Sequence, residues 1–153
     1  MPVVVRNCQR RIRVSTARLR ATALAALAAL GRRDRELHVS VVGDGTIRRL
    51  NMRYLGHRGA TDVLAFDLAA PGPSRLLGEV IVSADTASRQ AKQVGVSVAL
   101  ELDLLVIHGI LHLAGWDDHE PCRARLMHER ERAILTGARR SVPARLWNGL
   151  LEA

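Results

Sequence analysis

The chain has 153 residues, enough for one ordinary domain with a real core, and 48% of them are apolar, which sets disorder aside as a starting point. Aromatic residues make up only 3%, so the core must be built from Leu, Val, Ile and Ala, and a surface that stacks successive bases is disfavoured. The net charge of +8 is carried almost wholly by arginine, Lys92 being the single lysine; it suits a polyanionic partner, and an arginine-rich composition with no such partner equally well.

Cys8 and Cys122 are two thiols far apart, with no disulfide framework, as fits a reducing cytoplasm. Cys122 lies close to a histidine cluster and reads as a partly buried free thiol before it reads as a ligand. The apolar run Ala21–Leu30 is too short to span a bilayer. Arginines precede it as in a signal peptide, but Arg32, Arg33 and Arg35 follow at once without a convincing cleavage site, so a core helix is expected, and no membrane partner.

In chain order, Val3 to Arg6 is a β-rich opening. Ser15 or Thr16 caps a helix through about Leu30, closed by Gly31. Leu37 to Val42 alternates like a strand, and Gly43-Asp44-Gly45 is turn chemistry. A short helix from Thr46 to about Leu55 follows, then a strand from Thr61 to Leu68. A loop holds Pro71, Gly72 and Pro73. Leu76 to Ser83 is a further strand, on which Glu79 reads as an edge charge, and Ala84 to Val94 is a helix. Val98 to Ala114 is a much more apolar helix stopped by Gly115, and Pro121 to Thr136 a polar one ended by Gly137. The basic tail from Arg139 carries Leu146, Trp147, Leu150 and Leu151 as a docking patch. This mixture predicts an α/β (α+β) class: one domain over residues 1–153, with a small mixed β-sheet packed with helices.

The informative stretch is Glu101 to Glu120. His108 and His112 are four apart, so on a helix they differ by only ~40° around the axis and project from one face about a turn apart. Two satisfied core histidines are the plainer reading, but Leu104, Leu105, Ile107, Ile110 and Leu111 make this helix apolar nearly all round, and burying two unpartnered imidazoles there is costly. A metal site explains them better. The chain turns after Gly115, and a third ligand comes from Asp118 or His119: ligand type favours His119, spacing favours Asp118. Three protein ligands leave a fourth position open for water or substrate, the pattern of a catalytic site. One divalent ion per chain is expected, zinc first, although imidazole and carboxylate suit several metals.

These residues resemble the YbeY endoribonucleases, whose signature H-G-x-L-H-L-x-G-Y-D-H is similar to the run from His108 through Gly109, Leu111, His112, Leu113, Gly115, Trp116 and Asp117 to Asp118-His119. Leu50-Asn51-x-x-Tyr54 resembles the family's L-N-x-x-Y, Thr61-Asp62-Val63-Leu64-Ala65-Phe66 its P-T-D-V-L-S-F, and Leu77 to Ser83 its L-G-D-I-V-I-S; Gln90-Ala91 and Glu101-Leu102 fit as well. The likeness covers roughly Leu37 to Leu135. It implies a metzincin-like metal site and a single-strand-specific, metal-dependent endoribonuclease in the cytoplasm. Its substrate would be ribosomal RNA, notably the 3′ end of the small-subunit RNA, with a role in ribosome quality control. Implied partners are the small ribosomal subunit, ribosomal proteins and an assembly GTPase.

The chain departs from the family pattern twice. The D-H pair is Asp117-Asp118-His119 here, and the arginine that follows the family's tyrosine is Leu55. Arg53, His57 and Arg58 are nearby candidates for the missing positive charge and for phosphate contacts. Asp117 is a candidate to orient a ligating histidine or to handle a proton, or else an ordinary loop carboxylate. Two rival functions follow. A metalloprotease needs glutamate after the first histidine, where Gly109 stands and cannot take a proton from water. A non-catalytic, metal-stabilised ribosome-assembly or RNA-binding factor is the reading that Leu55 favours.

Overall fold

Period-two alternation sorts the strands between two cores. The computed structural model describes residues 3–56, 62–67, 75–138 and 142–147. Its strands are β1 (Val3–Asn7), β2 (Glu36–Val42), β3 (Val63–Asp67) and β4 (Leu76–Ser83). Leu37, Val39 and Val41 of β2 and Val80 and Val82 of β4 face the main core, while Val42, Leu64 and Ile81 face a smaller cluster. The sheet order is β1-β2-β4-β3, with β1–β2 and β2–β4 parallel and β3–β4 antiparallel. Parallel neighbours require crossovers, and helix α1 (Thr16–Ala29) supplies the one between β1 and β2. Helix α2 (Asp44–Leu55) covers the second face, where Ile47 closes the small cluster. Helices α3 (Ala84–Val94), α4 (Val98–Leu113) and α5 (Pro121–Ala138) complete an α+β fold, with a short 3-10 turn at Ala144–Trp147.

Three helices start on a serine whose hydroxyl accepts a backbone N–H three residues on: Ser15 from Arg18, Ser83 from Thr86 and Ser97 from Leu100, each at 3.2 Å. Ser15 rather than Thr16 is thus the cap of α1. Helix α2 begins at Asp44, two residues before the expected Thr46. The Gly43-Asp44 pair that reads as a turn is its first turn, because the Asp44 carboxylate is held by the hydroxyls of Ser83 (2.6 Å) and Thr86 (2.7 Å) and by Arg89 (2.7 Å). Burial alone would raise the Asp44 carboxyl, but these bonds hold it at about 2.

Other expectations are corrected. Helix α5 runs through Gly137 to Ala138; one glycine costs a helix only about 1 kcal/mol, and Ile134 and Leu135 anchor this turn in the core. Leu146 and Trp147 form no docking patch: they are 2% and 6% exposed, within the main core. Leu150 and Leu151, like Pro71, Gly72 and Pro73, lie outside the described residues. Glu79 is no edge charge, since β4 is an interior strand, and its carboxylate accepts from Ser40 Oγ at 3.3 Å. Cys122 is exposed and free, not partly buried, and so is Cys8. Among the described residues no single helix is long and apolar enough to cross a membrane.

Helix α4 carries the two histidines, and its position is fixed twice. On the α1 side, the wholly buried Asp103 accepts Arg18 Nη2 at 2.9 Å and Nε at 3.1 Å, and Thr22 Oγ1 at 2.9 Å. On the sheet side, Gly109 brings the helix backbone onto β4 and β3: a Cβ there would stand 2.6 Å from Val80 Cγ1 and 3.2 Å from Val63 Cγ2. Gly78 fits as tightly, since its Cβ would stand 2.3 Å from the Phe66 carbonyl oxygen. Valine is stiff at χ1 and yields little. Gly109→Ala is therefore expected to lower stability by about 1–3 kcal/mol in urea unfolding, despite alanine's better helix propensity.

Candidate metal centre

Helix α4 ends at Leu113, and Gly115, at φ +98°, turns the chain so that residues 116–118 run back toward the helix. The turn sets three donor atoms around one point. His108 Nε2 and His112 Nε2 are 3.0 Å apart, and the Asp118 carboxylate lies 3.6 Å from the first and 3.8 Å from the second. An ion held tetrahedrally at about 2.0–2.1 Å sets its ligand atoms about 3.3–3.4 Å apart, a spacing these distances bracket.

The imidazoles are also aimed chemically. His112 Nδ1 donates to the Trp116 carbonyl at 3.1 Å. His108 Nδ1 donates to a carboxylate oxygen of Glu131, a side chain only 1% exposed on α5. With both Nδ1 protons committed to acceptors, both Nε2 lone pairs point at the shared position. That is the usual way an outer carboxylate or carbonyl fixes the tautomer of a metal-binding histidine.

The charges follow this arrangement. Burial pushes His108 down, but the hydrogen bond and charge of Glu131, with Asp118 and Asp62 behind, outweigh it and hold the imidazole above its ordinary value. Burial and then the charge of His108 push His112 below its own.

Asp118, not His119, stands against the histidine pair, 3.6 Å from His108 Nε2 and 3.8 Å from His112 Nε2. His119 is exposed and groups with Asp117 and Asp118 instead. Its backbone N–H donates to Asp117 Oδ1 at 2.6 Å, and Arg123 donates to Asp117 Oδ2 at 3.2 Å, which together hold Asp117 below the usual carboxylate range. Asp117 therefore shapes the turn, and the carboxylate that orients a histidine is Glu131. Arg53 is exposed, with its guanidinium 5.5 Å from the Tyr54 ring centroid, and does not line the cavity beside the histidines. His57 and Arg58 lie outside the described residues.

Glu131 was missed by sequence reasoning, yet its signal was present: it sits four after Met127 and four before Leu135, on the buried stripe of an otherwise polar helix. Glu101 is a similar case, an acid only 6% exposed at the start of apolar α4. Burial first, then the charges of Asp62 and Glu131, push its carboxyl up to about 7.

Fold and site together define a small α+β protein with two imidazoles and a carboxylate disposed as an open metal site. A family model described as endoribonuclease YbeY matches residues 4–139. An Anaeromyxobacter sp. (strain Fw109-5) protein named endoribonuclease YbeY is 47% identical over 138 residues, 90% of this chain and 71% of the relative. One of the same name from Geobacter metallireducens is 45% identical over 142 residues, 88% of this chain and 93% of the relative. The solution structure of a Thermotoga maritima protein shares the fold at a TM-score of 0.63 and 24% identity, covering 89% of this chain and 88% of that one. This chain belongs to the YbeY endoribonuclease family, hydrolases that cleave RNA internally.

Two outcomes follow from the geometry. Glu131→Gln keeps an acceptor for His108 but removes the charge, and zinc affinity measured against a competing chelator is expected to fall about 10- to 100-fold. Glu101→Gln is expected to stabilise the metal-free protein above pH 7 and to leave it unchanged near pH 4. The unfolded carboxyl ionises near its ordinary value of 4.5 while the folded one keeps its proton to about 7, so the wild type loses stability across that window. The loss is roughly 2–3 kcal/mol, read from urea unfolding at the two pH values.

Proposed function

We propose that this chain is a single-strand-specific, metal-dependent endoribonuclease that matures ribosomal RNA in the cytoplasm, with the 3′ end of the small-subunit RNA as substrate and a part in ribosome quality control. The observation that carries the proposal is the convergence of His108 Nε2, His112 Nε2 and the Asp118 carboxylate, with both Nδ1 protons tied down by Glu131 and Trp116. Two nitrogens and one oxygen suit zinc and leave a position open. Bound there, zinc supplies polarisation of a phosphoryl oxygen and a water of lowered pKa. In this reading His108, His112 and Asp118 hold the ion, Glu131 keeps His108 in register, and the positive surface draws the RNA in. Arg53, with His57 and Arg58, is the candidate set of phosphate contacts. The small ribosomal subunit is the proposed partner, together with ribosomal proteins or an assembly GTPase.

A metalloprotease does not fit. The position of its general base is Gly109, where even a methyl group would meet Val80 at 2.6 Å. The non-catalytic assembly factor has one observation in its favour: Leu55, where the family carries arginine, is 50% exposed at the end of α2 and brings no charge.

The two readings part in one experiment. Bound metal is quantified, and cleavage of single-stranded ribosomal RNA assayed, for wild type, His112→Ala, Asp118→Ala and His119→Ala. The nuclease reading expects about one zinc per chain, loss of metal and cleavage together in His112→Ala and Asp118→Ala, and wild-type metal in His119→Ala. Metal without cleavage in the wild type, with a melting temperature lowered by chelator, is the assembly-factor result.

A further inference from the structure

The cavity beside His108 is a poor place to hold a polyanion. Four carboxylates line it, Asp62, Glu101, Asp118 and Glu131, and among the described residues that line it there is no Arg or Lys. Nucleic acids are held chiefly through their phosphates, so the cations that hold one on this chain must lie outside that cavity.

Helix α3 separates it from a cavity of the opposite charge. Gln90, Gln93 and Val94 line the acidic cavity, whereas Ser88, Arg89 and Lys92 line a second one, of about 460 Å³, on the other flank of the helix. Arg11 and Arg48 join Arg89 and Lys92 there, four cations against the carboxylates of Asp44 and Asp85. The sheet explains why a crevice opens at this place. Strands β1, β2 and β4 are parallel and end together, Asn7 pairing with Val41 and Val42 with Ser83. From the neighbours β2 and β4 the chain then leaves toward opposite faces. Helix α2 closes the small cluster with Ile47, and α3 packs Ala84 and Ala87 into the main core. Ligands of open α/β sheets settle in the crevice that such a divergence leaves at the carboxyl ends of the strands.

Both carboxylates are committed within the protein. Asp44 accepts from Ser83, Thr86 and Arg89, and Asp85 Oδ2 accepts the backbone N–H of Asp44 at 2.9 Å. Arg11 gains only a 4.0 Å approach to Asp85, with 83% of its side chain exposed, and so loose a surface pair is worth little. Arg48 and Lys92 are exposed and have no carboxylate partner among the described residues.

We propose that this crevice is a docking site for the phosphodiester backbone of single-stranded RNA, gripped by Arg11, Arg48 and Lys92. Cations spread round a crevice suit a ligand whose charges are themselves spread along a chain, and they need not meet at one point. The inference rests on the reading that this chain acts on RNA, and it adds where the strand is held: on the far flank of α3 from the metal centre. A strand that crosses α3, about 10–12 Å wide with its side chains, reaches both cavities.

Binding of a fluorescently labelled, cleavage-resistant 2′-O-methyl RNA to the zinc-loaded protein is followed by anisotropy over a range of salt. Arg48→Gln combined with Lys92→Gln is expected to weaken binding roughly fivefold or more at low salt. The slope of log affinity against log salt is expected to fall by about 1.4, two contacts at roughly 0.7 each. On unmodified RNA the same variant is expected to show a raised KM at unchanged kcat. Arg33→Gln is the control, in the turn before β2. The seven residues of β2 put about 20 Å between it and the crevice, where salt screens its charge. Zinc content, counted in every variant, shows that each is folded. Unchanged affinity and slope in the paired variant, or an equal loss in Arg33→Gln, would overturn the site. Displacement of the RNA by millimolar inorganic phosphate at constant ionic strength would make it a small-anion pocket and overturn it as well. Cleavage at unchanged KM in the paired variant sinks the docking site alone, whereas binding as expected without any cleavage sinks the nuclease reading alone.

Discussion

The contact on which the molecule depends is the near-touching approach of α4 to the sheet. Gly109 has no side chain because Val80 and Val63 occupy the space one would need, and Gly78 admits the Leu113 end of the same helix. Helix α4 is thereby fixed as the central element, buried from Leu100 to Leu113 except at its polar flank. A helix held so closely cannot rotate to relieve a poor placement of His108 and His112. Their geometry is inherited from packing, and the interior, dense as an organic solid, keeps it. The same close fit bars the glutamate that would make the pair a protease motif, so one steric fact both builds the site and narrows its chemistry.

Charge is the second organising theme. The buried acids fall into two kinds. Asp103 is satisfied by Arg18 and Thr22 and ties α1 to α4, so it is architectural. Glu131 and Glu101 border the histidines, one bonded to them and the other with no donor to meet it. A buried ion pair contributes little net stability but is damaging to break. An unrelieved buried acid is a standing cost, and a fold keeps it most readily where an ion or a reaction uses it.

How much of this was legible in the sequence depends on the range of the information. Local patterns were readable: the bounds of β4 and α3, a cap at Ser15 or Thr16, and the helical pair His108–His112 all rest on neighbours within a few residues. What failed needed partners from elsewhere in the chain. Glu79 reads as an edge charge until β3 pairs outside β4, and Leu146 and Trp147 read as a docking patch until the short turn that carries them packs into the main core. The competition between Asp118 and His119 turns on how tightly the Gly115 turn closes, because a one-residue slip exchanges which side chain faces the helix. Glu131 is the most instructive omission. It lies 23 residues from His108, and its only local trace is an acid on an apolar stripe.

The two histidines are oriented by different kinds of partner, and this has an evolutionary side. His112 is set by the main-chain carbonyl of Trp116, an atom present whatever amino acid stands at that position. His108 is set by the side chain of Glu131, which a single nucleotide change can remove. One half of the centre is thus indifferent to substitution at its support, while the other hangs on one codon. Genetic drift in this chain would erode the site from the α5 side first.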